Sequence, residues 1–120
     1  MKIAITATGR ELSSQVDPRF GRAQYFIIVD AETNAFTAHD NAQNLNAAQG
    51  AGIQAGETVA RLGAGAVVTG NVGPKAFRIL QAAGIKVYRC GEGTVADALG
   101  KYKTGALQES AAANVEGHWA

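Results

Sequence analysis

Short runs of β-branched and aliphatic residues alternate along the chain with turns rich in glycine and polar residues, and this pattern predicts five strands. Residues 23–30 form the clearest run, because they are apolar on both faces, which is typical of an interior strand. Residues 2–7 place Ile3 and Ile5 on one face of a first strand. The predicted strands cover residues 2–7, 23–30, 35–39, 66–69 and 85–88.

Three further segments carry apolar residues at helical spacing, which predicts three helices. The predicted helices cover roughly residues 52–63, 74–83 and 94–105. Pro74 stands at the first position of the second helix, where its missing N–H costs nothing. Thr94, followed by Asp97, gives the third helix a capping-box pattern. The element order is therefore βββαβαβα.

This order indicates an α/β fold, a mixed five-stranded sheet with helices on its faces. If the first two strands are antiparallel, the third runs parallel to the first. Right-handed crossovers then make the fourth and fifth strands parallel to it as well. Four loop segments should converge at one rim of the sheet, where open α/β sheets usually bind ligands. These segments are residues 8–22, 40–52, 70–74 and 90–94.

Length and charge restrict the interpretation further. The 120 residues suffice for one domain, which we place at residues 1–107, and the alanine-rich remainder, 108–120, is predicted to be a mobile tail. A net charge of +1 favours neither nucleic acid nor a membrane surface as a partner. The single cysteine, together with the absence of a signal peptide or a long apolar run, predicts a cytoplasmic protein.

The residues at the predicted rim favour a compact anionic ligand. Helices begin near Gly52, Pro74 and Thr94, and each start offers free N–H groups and partial positive charge. Lys75 lies in a first helical turn, which is unfavourable for a cation unless an anion is close. The alternative is that the glycines only form turns and the arginines are only solvated. The candidate binding residues are Thr8, Gly9, Arg10, Arg19, Phe20, Gly21, Arg22, Asn41, Gln49, Gly50, Gly52, Asn71, Gly73, Lys75, Gly91 and Gly93.

Catalytic signals are weak. The first strand carries no acidic residue of the kind a two-metal hydrolase would need, and Asp17, Asp30, Asp40 and Asp97 fit turn and cap positions. No Ser-His-Asp arrangement is suggested, so the chain is not expected to be an enzyme. The run 50–55 matches a dinucleotide-binding pattern only loosely, because it follows a loop and lacks a downstream acidic residue.

Direct metal ligation has only two candidates at the rim, His39 and Cys90. A conventional iron–sulfur cluster uses about four protein thiolates, and this chain has one cysteine. Cys90 also fits the role of a small buried apolar residue. A cluster bound here would have to bring its own sulfide and be held as an anion.

Three ordered motifs resemble the dinitrogenase iron–molybdenum cofactor biosynthesis family. The motifs are residues 17–26 (Asp-Pro-Arg-Phe-Gly-Arg-Ala-Gln-Tyr-Phe), 50–53 (Gly-Ala-Gly-Ile) and 69–77 (Thr-Gly-Asn-Val-Gly-Pro-Lys-Ala-Phe). The resemblance extends over residues 1 to about 107. It implies a ribonuclease H-like fold and a role in carrying, storing or delivering molybdenum-containing clusters.

For this chain the resemblance implies a molybdenum-containing sulfide cluster, with molybdenum–copper favoured over molybdenum–iron–sulfur, and ATPases as partner proteins. Residues 44–49 lack the histidine that many members have near the glycine pair, which favours non-covalent binding. Two alternatives stay open: a small nuclease, suggested by the fold alone, and a module that binds a partner protein or nucleotide at the rim without metal.

Overall fold

The computed structural model describes residues 1–41 and 50–113, and within them it contains five strands and three helices in the predicted order. The elements are β1 (Lys2–Ala7), β2 (Tyr25–Asp30), β3 (Phe36–Asp40), α1 (Ala51–Arg61), β4 (Ala66–Thr69), α2 (Pro74–Ala82), β5 (Lys86–Arg89) and α3 (Val95–Lys103). Strand β2 begins two residues later than predicted, because the preceding loop engages the backbone there: the Ala23 N–H donates to the Phe20 carbonyl at 3.5 Å and the Gln24 N–H to the Asp17 carboxylate at 3.2 Å.

The sheet has the order β3-β2-β1-β4-β5. Strand β2 is antiparallel to both of its neighbours, whereas β4 is parallel to β1 and to β5. Strands β1, β3, β4 and β5 therefore all finish at the same end of the sheet, and we call this end the rim. This confirms the predicted strand directions, and β3 lies at the lateral edge of the sheet, partly exposed.

Side-chain alternation divides the core between the two faces of the sheet. On one face, α1 and α2 cover a cluster that includes Phe26, Val67 and Leu80. On the other face, α3 covers a cluster that includes Ile5 and Val68. The helices thus form outer layers around a sheet that is buried on both sides in its centre, as continuous apolar strands require.

The chain beyond α3 returns to the open edge of β5. Glu109 lies opposite Tyr88 in an isolated bridge, and the backbone N–H of Ser110 donates to the Val87 carbonyl at 2.7 Å. Part of the segment predicted as a tail is therefore attached to the sheet, because an edge strand offers unpaired backbone groups. Residues 114–120 lie outside the described residues. No helix in 1–41 or 50–113 is long and apolar enough to cross a membrane.

Gly70, directly after β4, lies where three backbone segments meet. A methyl carbon added to Gly70 would lie 2.7 Å from the Pro18 oxygen and 3.1 Å from the Gly91 Cα. Both contacts are with backbone atoms, which cannot turn aside as a flexible side chain can. Only glycine fits here, because its lack of a Cβ lets the loops after β1, β4 and β5 touch.

We expect Gly70→Ala to reduce the free energy of unfolding by about 1–3 kcal/mol, the usual cost of forcing extra volume into a packed region. Urea unfolding measures this. Gly100→Ala is the matched control: Gly100 lies on the exposed face of α3 with nothing within 4 Å of an added methyl. Alanine there should stabilise by roughly 0.5–1 kcal/mol through helix propensity. Equal effects of the two substitutions would contradict the close packing at Gly70.

Candidate anion-binding site

The loop after β1 and the loop after β4 are joined into one ridge. The Asn71 N–H donates to the Pro18 carbonyl at 2.7 Å, and the Phe20 N–H donates to the Asn71 carbonyl at 3.1 Å. These two bonds, with the bridge between Arg19 and Asn71, bring the first and third predicted loop segments together. The ridge of residues 18–20 and 70–71 is the centre of the rim.

The buried Asp17 carboxylate organises this ridge. It accepts hydrogen bonds from the backbone N–H of Arg19 at 3.1 Å and of Gln24 at 3.2 Å, while the Arg19 Nε lies 3.5 Å from the same carboxylate. The Asp17 backbone is fixed in turn, because its carbonyl accepts from the Thr6 hydroxyl at 2.6 Å. The expected turn-forming role of Asp17 is confirmed, and the residue also holds one of the candidate arginines.

The hydroxyls of Thr6 and Thr69 lie side by side beneath the ridge, at the ends of β1 and β4. Their Oγ1 atoms are 2.8 Å apart, and both residues are fully buried. Since the single Thr6 hydrogen points to the Asp17 carbonyl, Thr69 donates to Thr6, and the pair is satisfied without water. Neither hydroxyl is therefore available to a ligand.

The sheet divides the predicted site residues between its two faces. On the α1/α2 side, Asn41 links the end of β3 to the ridge loop by donating to the carbonyls of Gly21 at 3.2 Å and Ala23 at 2.8 Å. Gly21 and Arg22 lie on the loop that Asn41 holds, and Gly50, Gly52, Gly73 and Lys75 lie at the starts of α1 and α2, while Arg19 and Asn71 belong to the ridge itself. The predicted site residues on the α3 side are Thr8, Gly9, Arg10 and Gly93, with Gly91 against Gly70 between the two sets. Gln49 lies outside the described residues.

Phe20 departs from its predicted role. Its side chain is fully buried and its ring centroid lies 5.8 Å from that of Phe26 in the core beneath α1 and α2. It is an apolar anchor for the ridge loop, and it presents no surface to a ligand. Phe20 stands between Arg19 and Gly21 in the sequence, but the large apolar area of its ring favours burial.

Helices α1 and α2 begin at the rim without side-chain caps. Gly50 precedes α1 in a left-handed conformation with φ 82°, and Gly73 precedes α2, whose first residue is Pro74. Neither helix has an acidic residue in its first turn. Helix starts usually satisfy their free N–H groups with a polar side chain, and among the described residues neither of these two starts has such a cap.

Helix α3 is closed, which corrects the prediction that all three helix starts offer free N–H groups. The N–H groups of Val95 and Ala96 both donate at 2.8 Å, to the carbonyls of Ser14 and Leu12 respectively. Thr94 and Asp97 form the predicted capping box, with both hydrogen bonds at 3.1 Å. The loop 8–16 thus fills the place that an anion would take.

Arg10 is committed to neighbours on the α3 side. Its guanidinium carbon lies 5.2 Å from the centre of the Tyr25 ring. The hydrogen bond and electrostatic attraction of Tyr25, with a smaller contribution from Asp40, raise the pKa of Arg10. Its charge is therefore directed to Tyr25 rather than to the α1/α2 side of the rim.

Comparisons with known proteins agree with this architecture. A family model described as dinitrogenase iron-molybdenum cofactor matches residues 1–105. The chain belongs to this family. The apo orange protein of Desulfovibrio gigas is 47% identical, with a TM-score of 0.92 over 95% of this chain and 96% of that one. A NifB-like protein of Thermotoga is 38% identical, with a TM-score of 0.83 over 97% and 98% of the two chains. An uncharacterised protein of Methanocaldococcus jannaschii is 29% identical over 111 residues, 91% of each chain.

In this member of the dinitrogenase cofactor family, the two candidate metal ligands, Cys90 and His39, each contact a residue two positions away in the sequence. Cys90 is 8% exposed, packs in the α3-side core, and its thiol donates to the Glu92 carbonyl at 3.5 Å. The His39 Nε2 lies 2.8 Å from the Thr37 hydroxyl on the same edge strand. Across the described ranges, no group of three or more His, Cys, Asp or Glu side chains is arranged to hold a metal ion.

Two cationic residues near the rim were not anticipated. Arg89 and Lys101 line a cleft of about 580 Å³, which is also bordered by Pro18, Gly91 and Leu107. Arg89 is the last residue of β5 and immediately precedes the predicted loop 90–94, so a loop boundary set one residue earlier would have included it. Lys101 follows Asp97 by one helical turn, and only the packing of α3 beside β5 brings it to this place.

The closed start of α3 has a measurable pH dependence. Hydrogen bonds from the Thr94 N–H and hydroxyl, with a smaller effect of Lys101, hold the pKa of Asp97 below its ordinary value of 3.8. Because the pKa is lower in the folded state, ionised Asp97 stabilises the fold above the unfolded value, and this contribution is lost as the pH falls through the folded one. Asp97→Asn should therefore show a flatter dependence of unfolding free energy on pH between about 2 and 5.

Urea unfolding across this pH range tests the expectation, and Asp30→Asn provides a second, independent variant. Hydrogen bonds from the Glu32 and Thr33 N–H groups lower the pKa of Asp30 in the turn after β2. Since the two carboxylates lie on different elements, the flattening caused by the two substitutions should add. An unchanged pH dependence in Asp97→Asn would contradict the capping role of its charge.

Proposed function

We propose that this protein binds and carries a molybdenum-containing metal–sulfur cluster as a non-covalently held anion, at the α1/α2 side of the rim. The observation that carries the proposal is the contrast among the helix starts. Helix α3 is closed by its own acidic cap and by loop carbonyls, whereas α1 and α2 begin with glycine and no acidic residue. Two helices that run side by side and start uncapped at one rim concentrate positive potential there.

Three basic residues on that side support an anionic cargo. Lys75 is an exposed residue in the first turn of α2, where the helix dipole opposes a cation unless a counter-charge lies nearby. Within the described part of the chain, the hydrogen bonds of Arg19 involve only its backbone N–H and Nε, which leaves the two terminal amino groups of the guanidinium for a ligand. Arg22, half-buried on the same loop, adds a third positive charge.

The chain's ligand chemistry agrees with a cargo that supplies its own sulfide. Cys90, the single cysteine, is buried in the α3-side core, so the α1/α2 side offers N–H groups and cations and no thiolate of its own. Backbone N–H groups and arginines donate hydrogen bonds to anionic sulfides as they do to oxyanions. The likeness to the orange protein favours a molybdenum–copper sulfide cluster, with molybdenum–iron–sulfur as the other composition.

A carrier role also accounts for the acidic residues. Asp17, Asp30 and Asp97 each accept backbone N–H groups of turns or a cap, which supports a binding rather than catalytic function for the protein. The ribonuclease H-like assignment belongs to this proposal as well, supported by the family resemblance and the β3-β2-β1-β4-β5 order. Exchange of the cluster with ATPase partners, in the cytoplasm and without nucleic acid or membrane, is proposed on the same resemblance.

Reconstitution of the apo protein with copper and tetrathiomolybdate tests the cargo. We expect visible absorption that stays with the protein after desalting. Arg19→Gln and Lys75→Gln should each weaken retention roughly tenfold, as loss of one hydrogen bond or ion pair to a charged ligand does. Arg61→Gln is the matched control. It removes one positive charge from the last turn of α1, at the end of the sheet opposite the rim. Metal analysis of protein from its native source would identify the metals.

Absence of protein-bound absorption after reconstitution would refute the proposed cargo. Retention that falls equally in the Arg61 control and in the two rim variants would instead assign binding to overall charge, and the α1/α2 location would be wrong. Raising the salt concentration should weaken binding in all variants, because the ion pairs at this exposed rim are screened.

A further inference from the structure

We propose that the cleft beside β5 is a second binding site, for a small organic anion that carries a phosphate or carboxylate head on an apolar body. We call it the β5 cleft. It is lined by Pro18, Gly70, Asn71, Arg89, Cys90, Gly91, Glu92, Lys101 and Leu107 and has a volume of about 580 Å³. It shares the ridge with the proposed cluster site but opens toward α3 and the segment that follows it.

Within the described residues, neither cation of the β5 cleft forms an ion pair, although Lys101 acts electrostatically on Asp97 one helical turn away. Both side chains, those of Arg89 and Lys101, are exposed. Asp97 lies one helical turn from Lys101, but its carboxylate is engaged by the Thr94 N–H at 3.1 Å. Glu92 is the one acidic residue in the lining, so the lining keeps a net positive charge.

Backbone donors add to these cations. The N–H of Cys90 continues the β5 ladder by donating to the Thr69 carbonyl at 2.9 Å. Beyond it, within the described residues, the N–H groups of Gly91 and Glu92 have no acceptor in the protein. Successive unpaired backbone N–H groups in a turn are donors that suit anionic oxygens. The forked guanidinium of Arg89 suits the same oxygens.

Size and apolar lining distinguish the ligand from a bare inorganic ion. A volume of about 580 Å³ lies within the usual range for small-molecule sites and far exceeds the needs of one oxyanion. Leu107 and Pro18 supply apolar surface next to the cations. An anionic head on Arg89 and Lys101 would thus leave its organic body against these two side chains.

The Leu107 wall is built by the chain itself. After α3, residues 106–108 pass beside β5, and Ser110 and Glu109 attach the segment to Val87 and Tyr88. The Lys86 ammonium also lies 4.0 Å from the Glu109 carboxylate, in an exposed ion pair. This side of the cleft is therefore present before any ligand binds, which reduces the ordering cost of binding.

Titration of the ¹⁵N-labelled apo chain with phenyl phosphate tests the second site, with benzoate and inorganic phosphate as further arms and phenol as the uncharged control. We expect saturable shifts of the Gly91, Glu92 and Leu107 amide signals with phenyl phosphate or benzoate, weaker binding of inorganic phosphate, and none of phenol. Arg89→Gln and Lys101→Gln should each raise the Kd about fivefold, as loss of an exposed charge-assisted hydrogen bond does. Arg61→Gln again controls for net charge.

The result separates this site from the cluster site. If the proposal holds, Arg89→Gln retains the reconstituted cluster as wild type does and binds phenyl phosphate about fivefold more weakly. Arg19→Gln weakens cluster retention and leaves phenyl phosphate binding unchanged. Shifts confined to the starts of α1 and α2, equal Kd values for phenyl and inorganic phosphate, or equal weakening in Arg61→Gln would each overturn it. Because Arg89 and Lys101 are both exposed, unfolding measurements on the two variants should match wild type, so weaker binding reports the site and not the fold.

Discussion

The close approach of three backbone segments at Gly70 is the constraint on which the rest of the rim depends. Strands β1 and β4 lie side by side at the centre of the sheet, so the loops that leave them must cross within van der Waals contact. The hydrogen bonds between Pro18, Phe20 and Asn71 form only because no Cβ separates the chains. The crossing fixes the ridge, which lies between the proposed cluster site and the β5 cleft.

The second determinant is how each helix start is satisfied. The first N–H groups of a helix need acceptors, and within residues 1–41 and 50–113 the protein supplies loop and side-chain acceptors at the start of α3. There, the loop 8–16 supplies carbonyls and Asp97 supplies charge. At α1 and α2 the chain supplies glycine and a nearby lysine instead. The same physical need is thus met by the protein at α3, and in the proposed function a ligand meets it at α1 and α2, which makes the two faces chemically unequal.

Much of this arrangement follows from sequence patterns, because these patterns reflect which residues favour strands, helix starts and turns. Alternating and continuous apolar runs indicated the strands, Pro74 and the Thr94–Asp97 pair indicated helix starts, and chain-direction arguments then brought four loops to one rim. The patterns could not show that Ser14 and Leu12 carbonyls close α3, since any residue type has a carbonyl. Nor could they show that the Phe20 side chain turns inward or that Lys101 and Arg89 line the same cleft, because both features depend on packing between distant segments.

The attachment of Glu109 and Ser110 to β5 has a consequence for how molecules of this protein can meet. The segment after α3 contacts the edge strand β5, so among the described residues β3 is the edge strand that remains open. Growth of the sheet by addition of further copies is then restricted to a single side. Two molecules joined through β3 about a twofold axis would exhaust their free borders, so such pairing ends in a closed pair rather than an open-ended fibre.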